Sequence, residues 1–122
     1  MTIMEAINWL DGLKANTYTV EDKVAWLSRL DGRIYEEIIS THVGCCMRSF
    51  SPYSSDDTEE ELIAEAPHDE MYIRWLEAQI DYANGEYNKY NNSITAFNAA
   101  YQAFADYYNR THLPKRRWVR YK

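Results

Sequence analysis

Large apolar residues recur at alternating spacings of three and four near the end of this 122-residue chain. This spacing places them along one side of an α-helix, in a heptad-like seam. A stripe of this length has to be buried against another surface, so the chain is predicted to fold from packed helices. We call these residues the aromatic seam: Tyr87, Tyr90, Ile94, Phe97, Tyr101, Phe104 and Tyr108.

The helix that carries the aromatic seam has two candidate starts. Asn84-Gly85 is a strong stop signal for the preceding helix, and a break there leaves the first two tyrosines of the seam inside the last helix. A break at Asn91-Asn92 instead leaves those tyrosines in a turn. Pro114 predicts the end of the helix near His112, because proline cannot continue it.

Three further helices are predicted from caps and apolar spacing, which gives an all-α bundle of about four helices. Thr2 opens a capping box for the first helix, and Asn16 is expected to end it in a left-handed conformation. Thr19 caps the second helix, whose apolar stripe continues to about Thr41. Pro67 is expected to open the third helix, because proline suits the first turn.

A long insert, residues 42–66, separates the second and third helices. Its glycine, its proline and a cluster of serine and aspartate residues disfavour a single regular element. The segments CCMRSF (45–50) and ELIAEA (61–66) have the composition of short strands that would pair as a hairpin. We therefore predict one helical domain, residues 1–112, that contains the insert and is followed by a separate tail, residues 113–122.

Charge is distributed unevenly along the chain, which has a formal net charge of −6. Between Tyr53 and Glu70 there are eight carboxylates and no lysine or arginine, whereas the stretch from Arg110 to Lys122 has six basic residues and no acid. Acidic docking residues are predicted in the insert: Asp56, Asp57, Glu59, Glu60 and Glu61. Contacts to a partner or to DNA are predicted in the tail: Lys115, Arg116, Arg117, Trp118 and Arg120.

The basic tail is consistent with three roles. Arginine and lysine interleaved with Trp118 and Tyr121 suit phosphate binding with ring stacking, as in a small nucleic-acid-binding packaging or regulatory protein. The same residues suit docking on an acidic protein surface, and they also suit a solubilising terminus.

No catalytic, metal-binding or cofactor-binding motif is present, so the chain is predicted not to be an enzyme. His42 precedes Cys45 by three residues, but a structural zinc site requires paired ligand clusters, and the adjacent Cys45-Cys46 does not have CxxC spacing. Nothing in the sequence favours bringing His68 or His112 together with a cysteine nucleophile and an orienting group. Adjacent cysteines are also poor disulfide partners, which favours reduced thiols.

The aromatic seam is interpreted either as core or as a mixture of core and subunit interface. Four of its seven positions are tyrosine, whose hydroxyl needs a partner or water when it is buried. Rings of this kind are enriched at protein–protein contacts, so we favour the mixture. The candidate interface residues are Tyr87, Tyr90, Phe97, Tyr101, Phe104 and Tyr108.

Neither a membrane span nor a secretory signal is expected. No apolar run is long enough to cross a bilayer. Residues 1–16 lack the basic start and the continuous apolar stretch of a signal peptide. The expectation is a protein that stays in the cytoplasm or is built into an assembly made there.

The pattern of helices resembles the head–tail connector (adaptor) proteins of tailed phages and prophages. The most specific part is YIRWLEAQIDYANGEYNKYNNSITAFNAAYQAFADYYNRTH, residues 72–112, while the N-terminal half is similar only in its helix outline. The resemblance implies a non-enzymatic virion subunit without cofactors, made in a bacterial cytoplasm. It implies partners among portal and tail-completion proteins, and a homo-oligomeric ring around the channel through which DNA passes.

The charge pattern agrees with such an assembly. An acidic insert and a basic tail on one subunit suit head-to-tail contacts, which close into a ring when the rotation permits. The insert differs in composition from that of the connectors to which the chain is compared.

Overall fold

The structure of the protein, a computed structural model, describes residues 1–41 and 50–112. Within these ranges the chain forms four α-helices and no strand, which confirms the predicted all-α bundle. We number the helices α1 (Ile3–Leu13), α2 (Val20–Glu37), α3 (Glu70–Ala83) and α4 (Tyr87–Thr111).

Helix α1 begins at the predicted capping box. The Thr2 hydroxyl accepts a hydrogen bond from the Glu5 amide at 3.2 Å, and the Glu5 carboxylate accepts one from the Thr2 amide at 2.8 Å. The predicted end is wrong, because α1 stops at Leu13 and Asn16 is not left-handed. The Asn16 side chain instead donates to the Lys14 carbonyl at 3.0 Å, so a side-chain bond closes this turn without a special backbone conformation.

Helix α2 also begins where the sequence predicts. The Thr19 hydroxyl accepts a hydrogen bond from the Asp22 amide at 3.1 Å, which satisfies one of the free donors at the start of the helix. The α-helix ends at Glu37, and a short 3-10 turn, Ile39–Thr41, continues the path. The α-helix is therefore about four residues shorter than predicted, and its apolar stripe ends at the buried Ile38 and Ile39.

The described part of the insert runs across the start of α1 rather than forming a strand of a hairpin. The Ile3 amide donates to the Glu60 carbonyl at 3.0 Å, and the Met4 amide donates to the Thr58 carbonyl at the same distance. Segment 61–66 makes an isolated bridge with Thr2, so the strand predicted there is wrong. The predicted partner segment lies outside the described residues, except for Phe50.

Helices α3 and α4 form an antiparallel pair joined by a tight turn. The predicted start of α3 is three residues early: turn bonds precede the helix, with the His68 amide donating to the Glu65 carbonyl at 2.9 Å. The predicted stop is confirmed, since Gly85 has a φ of +76°, which glycine adopts without strain. Because α4 begins at Tyr87, the whole aromatic seam is helical.

The core lies between α1, α2 and α3, with α4 packed along α3. Helix α4 contributes only Phe97 and Phe104 as buried side chains. From the insert, Leu62 and Ala64 are buried as well, so this segment is part of the domain. The largest fully buried side chains include Ile3, Ile7, Leu10, Leu27, Leu30, Ile34, Tyr72, Leu76 and Phe97.

Candidate functional site

The central part of the aromatic seam packs inside the domain. Phe97 is fully buried, and its ring lies 5.0 Å from that of Trp75 on α3. The Trp75 indole N–H donates to the Trp26 carbonyl at 2.8 Å, which fixes the ring against which Phe97 packs. Phe104 is also buried. In this arrangement the two phenylalanines have almost no surface left for a neighbouring subunit.

Tyr101 connects the seam to α2. Its hydroxyl donates to a Glu37 carboxylate oxygen at 2.7 Å, and the Arg33 guanidinium lies 4.4 Å from the ring centroid. Arg33 also donates to the same Glu37 oxygen at 3.0 Å. Donation from Tyr101 and Arg33 lowers the pKa of Glu37. A half-buried tyrosine thus finds its hydrogen-bond partner within the subunit.

The first two tyrosines of the seam lie at the end of the α3–α4 pair, where the surface is open. Tyr87 and Tyr82 are about 60% exposed, and their ring centroids are 5.8 Å apart. The ring of Tyr90 lies 5.3 Å from that of Tyr82. These three rings form an exposed aromatic patch, in which Tyr90 itself is half-buried. Tyr82 was not predicted as an interface residue, because it lies outside the seam.

The last residue of the seam lies at the opposite end of α4. The Tyr108 ring stacks on His112 with centroids 3.7 Å apart. The ring of the preceding residue, Tyr107, lies 4.7 Å from that of His68, two residues after the insert. The last turns of α4 therefore lie beside the residues that follow the insert.

The solvent side of α4 is uncharged along its middle. The exposed positions between Lys89 and Asp106 are Asn91, Asn92, Thr95, Ala96, Asn98, Ala99, Gln102 and Ala103, which we call the neutral face. These residues follow the helix for about 20 Å, at a rise of about 1.5 Å per residue. Charged residues usually make up about a quarter or more of a protein surface, so a helix face without any is unusual.

The predicted acidic docking residues lie close together on the described part of the insert. Asp56, Glu59 and Glu60 are exposed, and none makes an ion pair with a described residue. The Glu61 carboxylate pairs with the N-terminal amine at 3.0 Å. Asp57 accepts from the Ser54 amide at 2.8 Å, which stabilises the turn. The predicted basic tail, residues 113–122, lies outside the described residues, as do His42, Cys45 and Cys46.

A buried carboxylate at the centre of the molecule was missed by sequence reasoning. Asp31 on α2 is fully buried, and its oxygens accept hydrogen bonds from the hydroxyls of Tyr53 and Tyr72, both at 2.6 Å, and from the Ile63 amide at 3.2 Å. Burial raises the pKa of Asp31, while these three hydrogen bonds act to lower it. The signal was present, because Asp31 follows Leu27 by four residues on the apolar stripe of α2.

A second buried carboxylate joins three helices. Asp81 on α3 forms an ion pair with Lys14 at the end of α1, and its other oxygen accepts from the Ser93 hydroxyl of α4 at 2.7 Å. Both buried aspartates pair with other groups of the protein, so we interpret them as structural. The described residues contain no group of three or more histidine, cysteine or acidic side chains able to hold a metal ion.

Comparison with known proteins gives no relative for this chain. No family model, curated protein or solved structure matches it. Among the described residues, no helix is long and apolar enough to cross a membrane. The surfaces described above are therefore the basis on which a function can be argued.

Proposed function

We propose that this chain is a non-enzymatic structural subunit of a phage virion: a head–tail connector that forms or joins a ring between portal and tail. The resemblance of residues 72–112 to connector proteins suggests the type of assembly. The neutral face of α4 is the observation that carries the proposal, because it is a long uncharged surface that the folded subunit leaves exposed.

The packing of α4 supports this use of the neutral face. A 25-residue helix is stabilised in the subunit along one side, mainly by α3. The other side presents alanines and neutral amides, which can approach a neighbour without removing a charge from water. Interface centres are depleted in charged residues in the same way.

The start of α4 adds a second exposed surface, on the seam side of the helix. The exposed aromatic patch of Tyr82, Tyr87 and Tyr90 lies at one end, and tyrosine rings are frequent anchors at protein contacts. Because Phe97 and Phe104 are buried within the subunit, we place the contact on the neutral face and this patch rather than on the whole seam.

A charge placed on the neutral face should prevent assembly. Ala99 lies at the middle of this face, and in the Ala99→Arg variant an unpaired guanidinium would be buried at the contact. We expect the assembly to weaken by about 100-fold, since burying an unpaired charge costs about 3 kcal/mol. Light scattering across a wide concentration range measures the mass of the assembly. It is applied to the full chain alone and to the full chain mixed with a portal ring.

The matched control is Ala25→Arg. Ala25 is exposed on α2 between charged residues, so an added arginine there remains in water. Assembly of this variant should equal that of the unmodified chain. The proposal fails if the unmodified protein remains a 14.4 kDa monomer at all concentrations and also does not bind a portal ring.

A further inference from the structure

The described part of the insert contains an open groove of about 440 Å³ that combines apolar walls with carboxylates. Phe50 and Tyr53 form one wall, with ring centroids 5.2 Å apart and nearly perpendicular. Leu62 and Ile63 contribute further apolar surface, and the acidic side chains at the groove are Asp57, Glu60 and Glu61.

The walls of the groove are held in place by the interior of the domain. The Tyr53 hydroxyl donates to Asp31 at 2.6 Å, and the Tyr53 amide donates to the Ser28 hydroxyl at 3.0 Å. Leu62 is 4% exposed, so it anchors the other side. A groove that is already formed binds a ligand at a lower entropic cost than one that must be ordered.

Within the described part of the chain, the N-terminal amine is the only positive group that pairs with a carboxylate of the groove. That amine pairs with Glu61, whereas the exposed Glu60 carboxylate makes no ion pair with a described residue. Asp56 and Glu59 add two exposed carboxylates next to the groove. The groove therefore favours a ligand that carries several positive charges together with an apolar or aromatic side chain.

The last ten residues of this chain, LPKRRWVRYK, have that chemistry. In an extended segment, side chains two residues apart lie on the same side. Arg116, Trp118 and Arg120 would thus share one side, with an indole between two guanidinium groups. This order matches an apolar groove with carboxylates around it.

Near its end, α4 lies beside the residues that follow the insert. The ring of Tyr107, in the last turns of α4, lies 4.7 Å from that of His68, two residues after the insert. Ten residues beyond His112 reach about 33 Å when extended, which is comparable with the size of the domain. A short tether of this kind gives an effective concentration on the order of millimolar, so even a weak contact would be populated.

We propose that the chain's own C-terminal segment, residues 113–122, binds in the groove formed by Phe50, Tyr53, Asp57, Glu60 and Leu62. Trp118 contacts the apolar walls, and the flanking arginines pair with the carboxylates. The contact is within one molecule and does not depend on the proposed assembly. It would cover both the acidic surface and the basic surface of the free subunit.

Protection from an arginine-specific protease tests the contact in the full chain. At low salt, cleavage after Arg116, Arg117 and Arg120 should be slow. The Glu60→Lys variant should be cleaved about tenfold faster, because the attraction between Glu60 and the basic tail becomes a repulsion. Trp118→Ala should also accelerate cleavage. High salt should accelerate cleavage of the unmodified chain, because it screens the charges. Mass spectrometry of the fragments gives the rate at each arginine.

Glu65→Lys is the matched control, since Glu65 is an exposed carboxylate of the same insert outside the groove. Its cleavage rate should equal that of the unmodified chain. The inference is overturned if the unmodified tail is cleaved as fast as in the Glu60→Lys variant at low salt. It is also overturned if protection disappears on dilution, because the tail would then be held by a second copy. Equal rates for Trp118→Ala and the unmodified chain would exclude the aromatic anchor.

Discussion

Replacement of Asp31 by alanine is expected to reduce the free energy of unfolding by about 3–4 kcal/mol. The variant leaves two tyrosine hydroxyls and the Ile63 amide without their acceptor. Tyr72 is fully buried and also accepts from the Ala64 amide at 2.8 Å, so its hydroxyl cannot turn freely to another partner. Urea denaturation followed by circular dichroism measures the change.

The matched control for this substitution is Glu36→Ala. Glu36 is an exposed carboxylate on the same helix, so its removal should change stability by less than about 0.5 kcal/mol. If Asp31→Ala is no more destabilising than this control, the hydrogen bonds at Asp31 do not stabilise the fold. The interpretation of Asp31 as the group that holds the insert to α2 and α3 would then be wrong.

The same carboxyl should give the protein a specific pH dependence. Burial raises the pKa of Asp31 above its ordinary value of 3.8, so the folded state favours the protonated form. The resulting stabilisation is complete at pH values below the pKa that Asp31 has in the unfolded chain. It is lost as pH rises through the pKa that Asp31 has in the folded protein. The Asp31→Asn variant cannot titrate at this position. The free energy of unfolding of the unmodified chain minus that of this variant should therefore fall as pH rises. A value that stays constant or increases with pH contradicts this.

Three features that depend only on neighbouring residues were predicted correctly, although the end of α1 and the start of α3 were not. The caps at Thr2 and Thr19 and the stop at Gly85 are local, and all three are confirmed. The course of the insert could not be predicted, because it depends on contacts between distant residues: Tyr53 and Ile63 with Asp31, and Glu60 with the first turn of α1. Such contacts leave no periodic signal in the sequence.

The candidate contact surface was predicted only in part. The spacing of the aromatic seam identifies one side of α4, but it cannot tell whether α3 or another subunit covers that side. The structure places α3 there, with Phe97 buried on Trp75. The neutral face, on the opposite side, has no apolar periodicity. The lack of charge between Lys89 and Asp106 was the available signal, and it becomes informative only when those residues are known to be exposed.

Replacement of Phe97 by alanine is expected to reduce the free energy of unfolding by about 3–5 kcal/mol, the usual range for removing a buried phenylalanine. Phe97 is fully buried, and it is one of only two buried side chains on α4. Its ring packs on Trp75 and lies 5.7 Å from that of Tyr101. The cavity left behind would remove much of the apolar contact that holds α4 on α3. Urea denaturation measures the loss.

Tyr87→Ala is the matched control, because it removes a ring of similar size from an exposed position on the same helix. Its effect should be smaller than about 1 kcal/mol. If the two variants are equally stable, α4 is not held by the buried part of the seam.

The Tyr87→Ala variant should also weaken assembly while leaving the subunit folded, because the ring that it removes lies on the proposed contact surface. The pair of substitutions therefore separates the part of the aromatic seam that folds the subunit from the part available to a neighbour.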